Sequence, residues 1–400
     1  MKKLLATSFI LSFLFLLFFI GKVSANPNFA PPGFVARDFF KPVCTSSDPS
    51  TPRCHAKVVT DKDGNASVSG IPSGYSPAQF LKAYKLGTGL ATSGSVTLAI
   101  IDAYDDPNIK TDLDKYNSTF GLPFFPSCTS GVTTSCFKKV NQLGQTSSYP
   151  AVNAGWALET SLDVEVAHAI CQNCKILLVE ANSNSYANLM AAVDTARSLG
   201  ANVISNSYGS SEFSGETTYD SHFQGSSAAI TFSSGDAGYG VEYPAASKYV
   251  TAVGGTTLQL NSDYTWKSES VWNGAGSGCS AFEPKPSFQT DNLCSNRTVT
   301  DISADADPVT GAAVYDSVRY QGKSGWFKVG GTSLASPLIA GTYALSGNYA
   351  RGTMYNSLVA TSLHDVLTGS NGNCGNYLCT AGTGYDGPTG MGTPKGAGAF

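Results

Sequence analysis

The sequence predicts an α/β fold in which a mostly parallel, twisted sheet carries helices on both faces. Short, β-rich apolar runs recur along the chain, and helical patterns lie between several of them, an alternation typical of parallel sheets. The length of 400 residues is enough to bury one large core. The strand-like runs are 96–101, 175–179, 202–205, 228–232 and 249–253, and the helical patterns are 155–170, 187–199 and 333–345.

The first 25 residues have the pattern of a secretory signal peptide. Two lysines precede a long apolar stretch, and Val23, Ser24 and Ala25 form a small-residue cleavage site. An uncleaved membrane anchor is the alternative, because the apolar stretch is long for a signal. Residues 1–25 carry three lysines and no acid, so their removal changes the formal net charge from −4 to −7. That charge argues against a nucleic-acid partner.

The rest of the chain divides into a short N-terminal segment and one large domain. Residues 26–73 are rich in Pro, Ser and Asp, which predicts an extended or loosely ordered segment, or a reduced pro-region. The large domain, 74–400, begins with a helix for which Ser76 is the N-cap and Pro77 the first residue. Within it, turn signals across 257–325 predict an irregular insertion.

The ten cysteines fall into pairs that are close in sequence. In an exported chain this pattern indicates disulfides that close short loops. For Cys171 and Cys174 a redox or zinc site is the alternative, but no second Cys-x-x-Cys follows and a zinc site would lack a ligand. The predicted pairs are 44/54, 128/136, 171/174, 279/294 and 374/379.

A serine marks the start of the last helical pattern. Gly330 and Gly331 allow a tight turn before Thr332 and Ser333, and the apolar run follows directly. A serine at a helix N-terminus has backbone N–H groups beside it, which favours an oxyanion. Because serine alone is a weak nucleophile, Ser333 requires a base.

Carboxylates supply the best candidate for that base. Glu159 and Asp163 are four residues apart in the pattern 155–170, so they share one helix face, and apolar residues continue the same row. Neighbouring buried carboxyl groups share protons and have raised pKa values. The alternative is a solvated acidic face. Of the four histidines, only His168 is a possible base, and no histidine motif surrounds it.

Three motifs together resemble the sedolisin family of serine-carboxyl peptidases, which has a subtilisin-like fold. They are Glu-x-x-x-Asp at 159–163, Ser-Gly-Asp-x-Gly at 234–238 and Gly-Thr-Ser-x-x-Ser-Pro at 331–337, in the family's order. The resemblance implies that Ser333 is the nucleophile, Glu159 the general base and Asp163 its support. It also implies that Asp236 helps to form the oxyanion hole, for which it must be protonated.

Asp102, at the end of the first strand-like run, has two possible roles. Some sedolisins are similar in carrying an additional acid there, so Asp102 extends the proton network or caps the following helix. The family resemblance weakens at the N-terminus, because sedolisins typically have a long folded propeptide and the segment here is short.

The C-terminal stretch resembles the calcium site of the sedolisins. Carboxylates and carbonyls of glycine-rich loops are hard oxygen ligands that suit Ca²⁺. The resemblance implies one structural ion with side-chain ligands Asp365 and Asp386 and carbonyl ligands Val366, Gly382 and Gly384. A simple acidic turn is the alternative.

The sequence thus predicts a secreted serine endopeptidase that acts on proteins or peptides under acidic conditions, as a monomer that no longer contacts the membrane once the signal is cleaved. Two rival hypotheses are a His-dependent subtilase and a catalytically silent exported binding protein of the same fold.

Overall fold

An eight-stranded, mostly parallel sheet forms the centre of the protein. The computed structural model describes residues 39–46, 48–87, 96–129 and 135–400, so the predicted signal peptide lies outside the described residues. The strands are β1 (Phe39–Pro42), β2 (Arg53–Cys54), β3 (Lys57–Thr60), β4 (Val68–Ser69), β5 (Thr97–Ala103), β6 (Phe137–Asn141), β7 (Lys175–Ala181), β8 (Val203–Asn206), β9 (Tyr208–Ser211), β10 (Ala229–Ser233), β11 (Glu242–Tyr243), β12 (Thr251–Leu260), β13 (Trp266–Val271), β14 (Gly278–Pro284), β15 (Asn296–Val299), β16 (Ile302–Asp305), β17 (Ala312–Tyr320), β18 (Lys323–Gly330), β19 (Leu363–His364) and β20 (Thr393–Pro394).

In the part of the chain that the structure describes, five α-helices accompany these strands. They are α1 (Pro77–Ala83), α2 (Ile109–Phe120), α3 (Ala154–Ile170), α4 (Tyr186–Ser198) and α5 (Thr332–Ser346), with 3₁₀ turns at Glu216–His222, Thr353–Tyr355 and Ser357–Ser362.

The central sheet has the strand order β13-β12-β10-β8-β5-β7-β6, and β16 also pairs with β12. All of these pairings are parallel except that of β12 with β13. Strands β5 and β7 are apolar and buried along almost their whole length, as expected for strands covered on both faces. Helices α3 and α5 pack together and against the sheet, and α4 packs on β5 and β7. The predicted α/β, subtilisin-like class is confirmed.

Helix α5 approaches α3 very closely. A Cβ at Gly341 would lie 2.6 Å from the Cβ of Ile170, so only glycine allows this spacing. The contact joins the C-terminal end of α3 to the middle of α5. It therefore sets how the two helices that carry Glu159 and Ser333 lie against each other.

The N-terminal segment is extended and paired rather than loose from residue 39 onward. Strand β3 lies between β1 and β18, and β4 also pairs with β18, all antiparallel. A second contact joins β2 to β9, again antiparallel.

The prediction of an irregular insertion at 257–325 is wrong. Strands β13 to β17 occupy most of it, and β16 adds a parallel strand to the central sheet. The dense turn signals there separate short strands. Strand β6 and the bounds of helix α2 were not predicted, because their short patterns are mainly polar.

All five predicted disulfides are present, and no cysteine in the described residues is free. Within the described part of the chain, no helix has the length and apolar character that crossing a bilayer requires.

Candidate active site

Three neighbouring strands of the central sheet end at the same edge with polar groups. Strands β5, β8 and β10 are adjacent and parallel. Asp102 lies near the end of β5, Ser207 directly follows β8, and Asp236 follows β10 in the turn after Ser233. Functional groups of such sheets gather beyond the carboxyl ends of the strands. The geometry brings all three residues to one edge.

Ser333 is the second residue of α5, which follows directly from the antiparallel strand β18. The connecting Gly331 has φ +96°, a conformation that an L side chain rarely adopts. The Ser333 hydroxyl is fully buried and donates to the backbone carbonyl of Ser207 at 3.3 Å. The turn thus presents Ser333 at the edge where β5, β8 and β10 end.

Glu159 and Asp163 lie on α3, which is buried on every side from Trp156 to its end. Asn153 begins this helix, and its side chain accepts from the backbone N–H of Gly155 at 3.0 Å. Both acids are fully buried. Among the described residues, Glu159 Oε1 and both carboxylate oxygens of Asp163 have no hydrogen-bond partner within standard distance. The acidic face of α3 is therefore in the core, not in solvent.

Glu159, Asp163 and Asp102 form a carboxyl cluster whose pKa values are raised by burial and by mutual repulsion. Burial is the main cause for Glu159 and Asp163, and the charge of Asp102 raises both pKa values further. The nearby Ser333 hydroxyl opposes the shift at Glu159. Burial raises the pKa of Asp102 to about 8. The three groups together keep protons at pH values at which ordinary carboxyl groups lose them. Asp102 belongs to this cluster and does not cap helix α2, because the N-cap of that helix is Asn108.

Asp236 uses one carboxylate oxygen to hold the start of α5. Its Oδ1 accepts from the backbone N–H and from the hydroxyl of Thr332, both at 2.8 Å. Its Oδ2 is buried and has no partner among the described residues. Burial raises the pKa of Asp236, although Lys57 and His55 partly oppose this. An oxygen with this setting can carry the proton and donate it to a negatively charged partner.

His168 does not contact the serine. Its ring lies against Phe125 with centroids 4.0 Å apart, and neither ring nitrogen has a hydrogen-bond partner among the described residues. Burial lowers the pKa of His168 to about 3. The side chain is a neutral part of the core, which removes support from the histidine-dependent hypothesis.

The predicted calcium ligands lie on two segments that contact each other through Asp365 and Gly384. Asp365 Oδ2 accepts from the backbone N–H of Gly384 at 3.0 Å, and Asp386 Oδ2 accepts from that of Gly382 at 3.1 Å. Asp386 is fully buried, and burial with the charge of Asp365 as a further contribution raises its pKa to about 7. Two carboxylates beside glycine-rich backbone suit a hard cation. Val366 is next to Asp365 and is buried.

Another carboxylate cluster was not predicted. Oxygens of Asp106, Asp112 and Asp316 lie within 4.8 Å of one another, and all three residues are buried. Each of these carboxylates also accepts a hydrogen bond from a backbone N–H in a turn or neighbouring strand. This cluster is separate from the predicted calcium ligands.

Several groups that contact the predicted site were not predicted from the sequence. The backbone carbonyl of Ser207 accepts from the Ser333 hydroxyl, and the backbone N–H of Thr332 donates to Asp236. Residues 53–57 contact Glu159, Ser207 and Asp236 from the N-terminal segment. No local motif indicates these contacts, because they connect positions more than 100 residues apart.

Comparisons with known proteins show which proteins this chain resembles. The model of the Subtilase family matches residues 151–376. The chain is 29% identical to sedolisin of Pseudomonas sp. (strain 101) over 369 residues, which is 81% of this chain and 60% of sedolisin. It is 30% identical to kumamolisin of Bacillus sp. (strain MN-32) over 375 residues, which is 82% of this chain and 64% of kumamolisin. The chain thus spans less than two thirds of these relatives.

A solved structure is similar as well. Pseudomonas sedolisin, a serine-carboxyl proteinase in complex with two molecules of pseudo-iodotyrostatin, aligns with a TM-score of 0.66 and 28% identity. The alignment covers 82% of this chain and 96% of that one.

Proposed function

The chain belongs to the subtilase family, within its sedolisin group, and on that basis we propose that it is a secreted endopeptidase active in acid. The observation that carries the proposal is the contact of Ser333 with Ser207, beside the buried cluster of Glu159, Asp163 and Asp102. Proteins or peptides are the substrates, and the enzyme acts as a monomer outside the cell.

In the proposed mechanism Ser333 attacks the carbonyl carbon of the scissile peptide bond. Glu159 takes the hydroxyl proton and later delivers it to the leaving amine, while Asp163 and Asp102 supply a reserve of protons and raise the basicity of Glu159. Asp236 Oδ2 donates a hydrogen bond to the tetrahedral oxyanion. Water then hydrolyses the acyl-enzyme and restores the serine.

The pKa shifts support activity on the acidic side of neutrality. Asp236 stabilises an oxyanion only when protonated, so this contribution is lost as the pH rises through its raised pKa. Glu159 accepts the serine proton only when it is itself unprotonated, so in acid the protons kept by the carboxyl cluster must lie on Asp163 and Asp102.

We predict that Ser333→Ala lowers kcat/KM for a peptide substrate by at least about 10³-fold, because no other nucleophile replaces the hydroxyl. Glu159→Gln is expected to cause a loss of similar order, since the amide cannot take the proton. The measurement is peptide hydrolysis by the purified protein between pH 3 and pH 8, with the wild-type maximum below neutrality.

Glu165→Gln is the matched control, because Glu165 is another buried acid of α3 and accepts from the backbone N–H of Tyr315. It should retain most activity. Full activity of Ser333→Ala would contradict the mechanism. A rise in activity through about pH 6–7 would instead support a histidine base, and a folded protein without any turnover would support the silent binding protein.

We propose further that one structural Ca²⁺ binds at Asp365 and Asp386, with the carbonyls of Val366, Gly382 and Gly384. The ion would neutralise the repulsion that contributes to the raised pKa of Asp386. It has no part in the chemical steps. A fall in melting temperature on chelation, reversed by Ca²⁺, is the measurement that checks the site.

A further inference from the structure

A buried acidic cluster lies where α2, α3 and β17 pack together, away from the candidate active site. Carboxylate oxygens of Asp106, Asp112 and Asp316 lie within 4.8 Å of one another, and none of the three residues is more than 1% exposed. Asp106 precedes α2, Asp112 is in its first turn, and Asp316 is on β17. A fourth acid, Glu165 of α3, is fully buried, and its Oε2 accepts from the backbone N–H of Tyr315 at 3.0 Å.

Two of these carboxyl groups each have an oxygen without a hydrogen-bond partner among the described residues. They are Asp316 Oδ2 and Glu165 Oε1, and both atoms are shielded from solvent. The other oxygen of Asp316 accepts from the backbone N–H of Val318 at 2.7 Å, so the backbone holds this side chain in its orientation. Buried polar atoms in folded proteins nearly always have a partner. Unpaired carboxylate oxygens in a group of acids indicate a positively charged one.

No positive side chain of the described residues balances the cluster. Within that part of the chain, no Lys, Arg or His nitrogen lies within 4.0 Å of its four carboxyl groups. The ammonium of Lys139 pairs with Asp105 and Glu180, and it reaches Asp106 only at the backbone carbonyl, at 2.8 Å. Burial raises the pKa values of Asp106 and Glu165, and the charges of other acids of the cluster add to both shifts. Buried negative charge of this kind is either protonated or bound to a cation.

The donor atoms select a hard cation. All of them are carboxylate oxygens, which suit Ca²⁺, Mg²⁺ and Mn²⁺ rather than softer metals. Ca–O distances of about 2.3–2.6 Å allow two ligands on one ion to be up to about 5 Å apart, whereas Mg–O distances of about 2.0–2.1 Å allow only about 4 Å. Oxygens within 4.8 Å of one another therefore fit a cation of the size of Ca²⁺ as they lie.

The cluster is close to the surface on the side of Asp112. Ser317 donates to Asp112 Oδ2 from its backbone N–H at 2.9 Å and from its hydroxyl at 3.0 Å. Asn108 Nδ2 in turn donates to Ser317 Oγ at 3.0 Å, and both Asn108 and Ser317 are partly exposed. An ion can thus reach the carboxylates by displacing the Asn108 side chain.

We propose that Asp106, Asp112 and Asp316 bind one divalent cation of the size of Ca²⁺, and that Glu165 adds negative charge beside it. The ion joins β17 to α2 and to the turn that precedes α2, and this site is distinct from the proposed C-terminal calcium site. Its role is structural, so the inference is independent of the proposed peptidase activity. Carboxyl groups bind a cation only when deprotonated, so protons displace the ion in acid. Stabilisation by Ca²⁺ in acid therefore comes from the C-terminal site alone.

The test is isothermal titration calorimetry with Ca²⁺ at pH 8 on the full chain carrying Asp365→Asn, which removes a ligand of the C-terminal site. One ion per chain should bind. Adding Asp316→Asn should weaken this binding by at least about 10-fold, since the loss of an outer-shell partner alone costs that much. Binding by the Asp365→Asn protein should also be at least about 10-fold weaker at pH 4.

Asp114→Asn in the same background is the matched control. Asp114 is also on α2, but it is partly exposed and pairs with Lys110, so its substitution should leave the Kd for Ca²⁺ unchanged. Asp106→Asn is a second test variant, because its amide oxygen can still accept from the backbone N–H of Asn108. Thermal unfolding in chelator at pH 8 should show both test variants to be no less stable than their parent.

The outcomes separate the two calcium sites. An Asp365→Asn protein that binds no ion at pH 8, or test variants that bind as tightly as their parent, would overturn the inference and leave protons as the partners of the cluster. Wild-type protein that binds a single ion, kept in Asp365→Asn and lost in Asp316→Asn, would support the cluster and contradict the C-terminal site.

Discussion

At the residue scale, the hydrogen bonds of Asp236 indicate its chemical role most specifically. One oxygen accepts from Thr332 and the other has no hydrogen-bond partner among the described residues, so the protonated form carries its hydrogen on this second oxygen. An asparagine amide can fill both hydrogen-bonding roles, because its oxygen accepts from Thr332 while its NH₂ group donates.

We therefore predict opposite outcomes for two substitutions of Asp236. Asp236→Ala should lower kcat/KM by about 10²–10³-fold, the usual cost of one oxyanion donor. Asp236→Asn should retain more activity, and its activity should persist to higher pH, because an amide donates without needing a proton from solvent. The measurement is the pH dependence of kcat/KM for both variants.

Wild-type and Asp236→Asn profiles that fall at the same pH would contradict this role. Melting temperatures of both variants control for the loss of the contacts to Thr332.

The residues of the site differ in how far they can be predicted from the sequence. Glu159 and Asp163 are one helical turn apart, and Ser333 follows a Gly-rich turn, so local spacing carries their chemistry. The contact of Ala56 with Glu159 joins residues 103 positions apart, and the contact of His55 with Glu242 joins residues 187 positions apart. Only the folded sheet brings those groups together.

At the scale of elements, the proposed calcium site contains two carboxylates, and the charge of Asp365 contributes to the raised pKa of Asp386. We predict that Ca²⁺ raises the melting temperature of the wild type and that Asp365→Asn removes most of this increase. A hundredfold excess of Ca²⁺ over Kd would add about 2.7 kcal/mol to the free energy of unfolding. The measurement is thermal unfolding in Ca²⁺ and in chelator.

Asp63→Asn is the control, because Asp63 is exposed and its neighbour is Lys62. An equal Ca²⁺ response in Asp365→Asn and wild type would argue against the site. In chelator, Asp365→Asn should be no less stable than the wild type, since the repulsion on Asp386 is gone.

Elements with strong apolar runs were predicted within a few residues. Strand β7 is an almost continuous apolar run, and helix α3 repeats apolar residues at helical spacing between its polar ones. Strands between 257 and 325 escaped notice, since partly exposed strands such as β13 carry mixed polarity. Their pairing with β12 and with one another decides their conformation, and that pairing is long-range.

At the scale of the whole molecule, the pKa values of many buried carboxyl groups are shifted in the same direction. Burial raises the pKa of Asp102 to about 8 and those of Glu180 and Asp316 to about 9. In the unfolded chain these groups titrate near pH 4. Between the two values the native state binds more protons, so the free energy of unfolding falls as the pH rises.

We predict that the melting temperature is highest near or below pH 4 and declines steadily towards pH 9. Asp316→Asn should flatten this decline, because the amide cannot ionise and Oδ1 can still accept from Val318. The measurement is thermal unfolding from pH 3 to pH 9. A melting temperature that rises towards neutral pH would contradict the linkage.

The disulfides have a consequence for covalent connectivity. Each joins cysteines between 3 and 15 positions apart, so each closes only its own small ring. A single backbone break outside those rings leaves two chains with no covalent link, even under oxidising conditions. Such a nicked molecule would be held together only by non-covalent contacts, among them strand pairing such as that of β1 with β3. Non-reducing electrophoresis would therefore separate every such break into its two fragments.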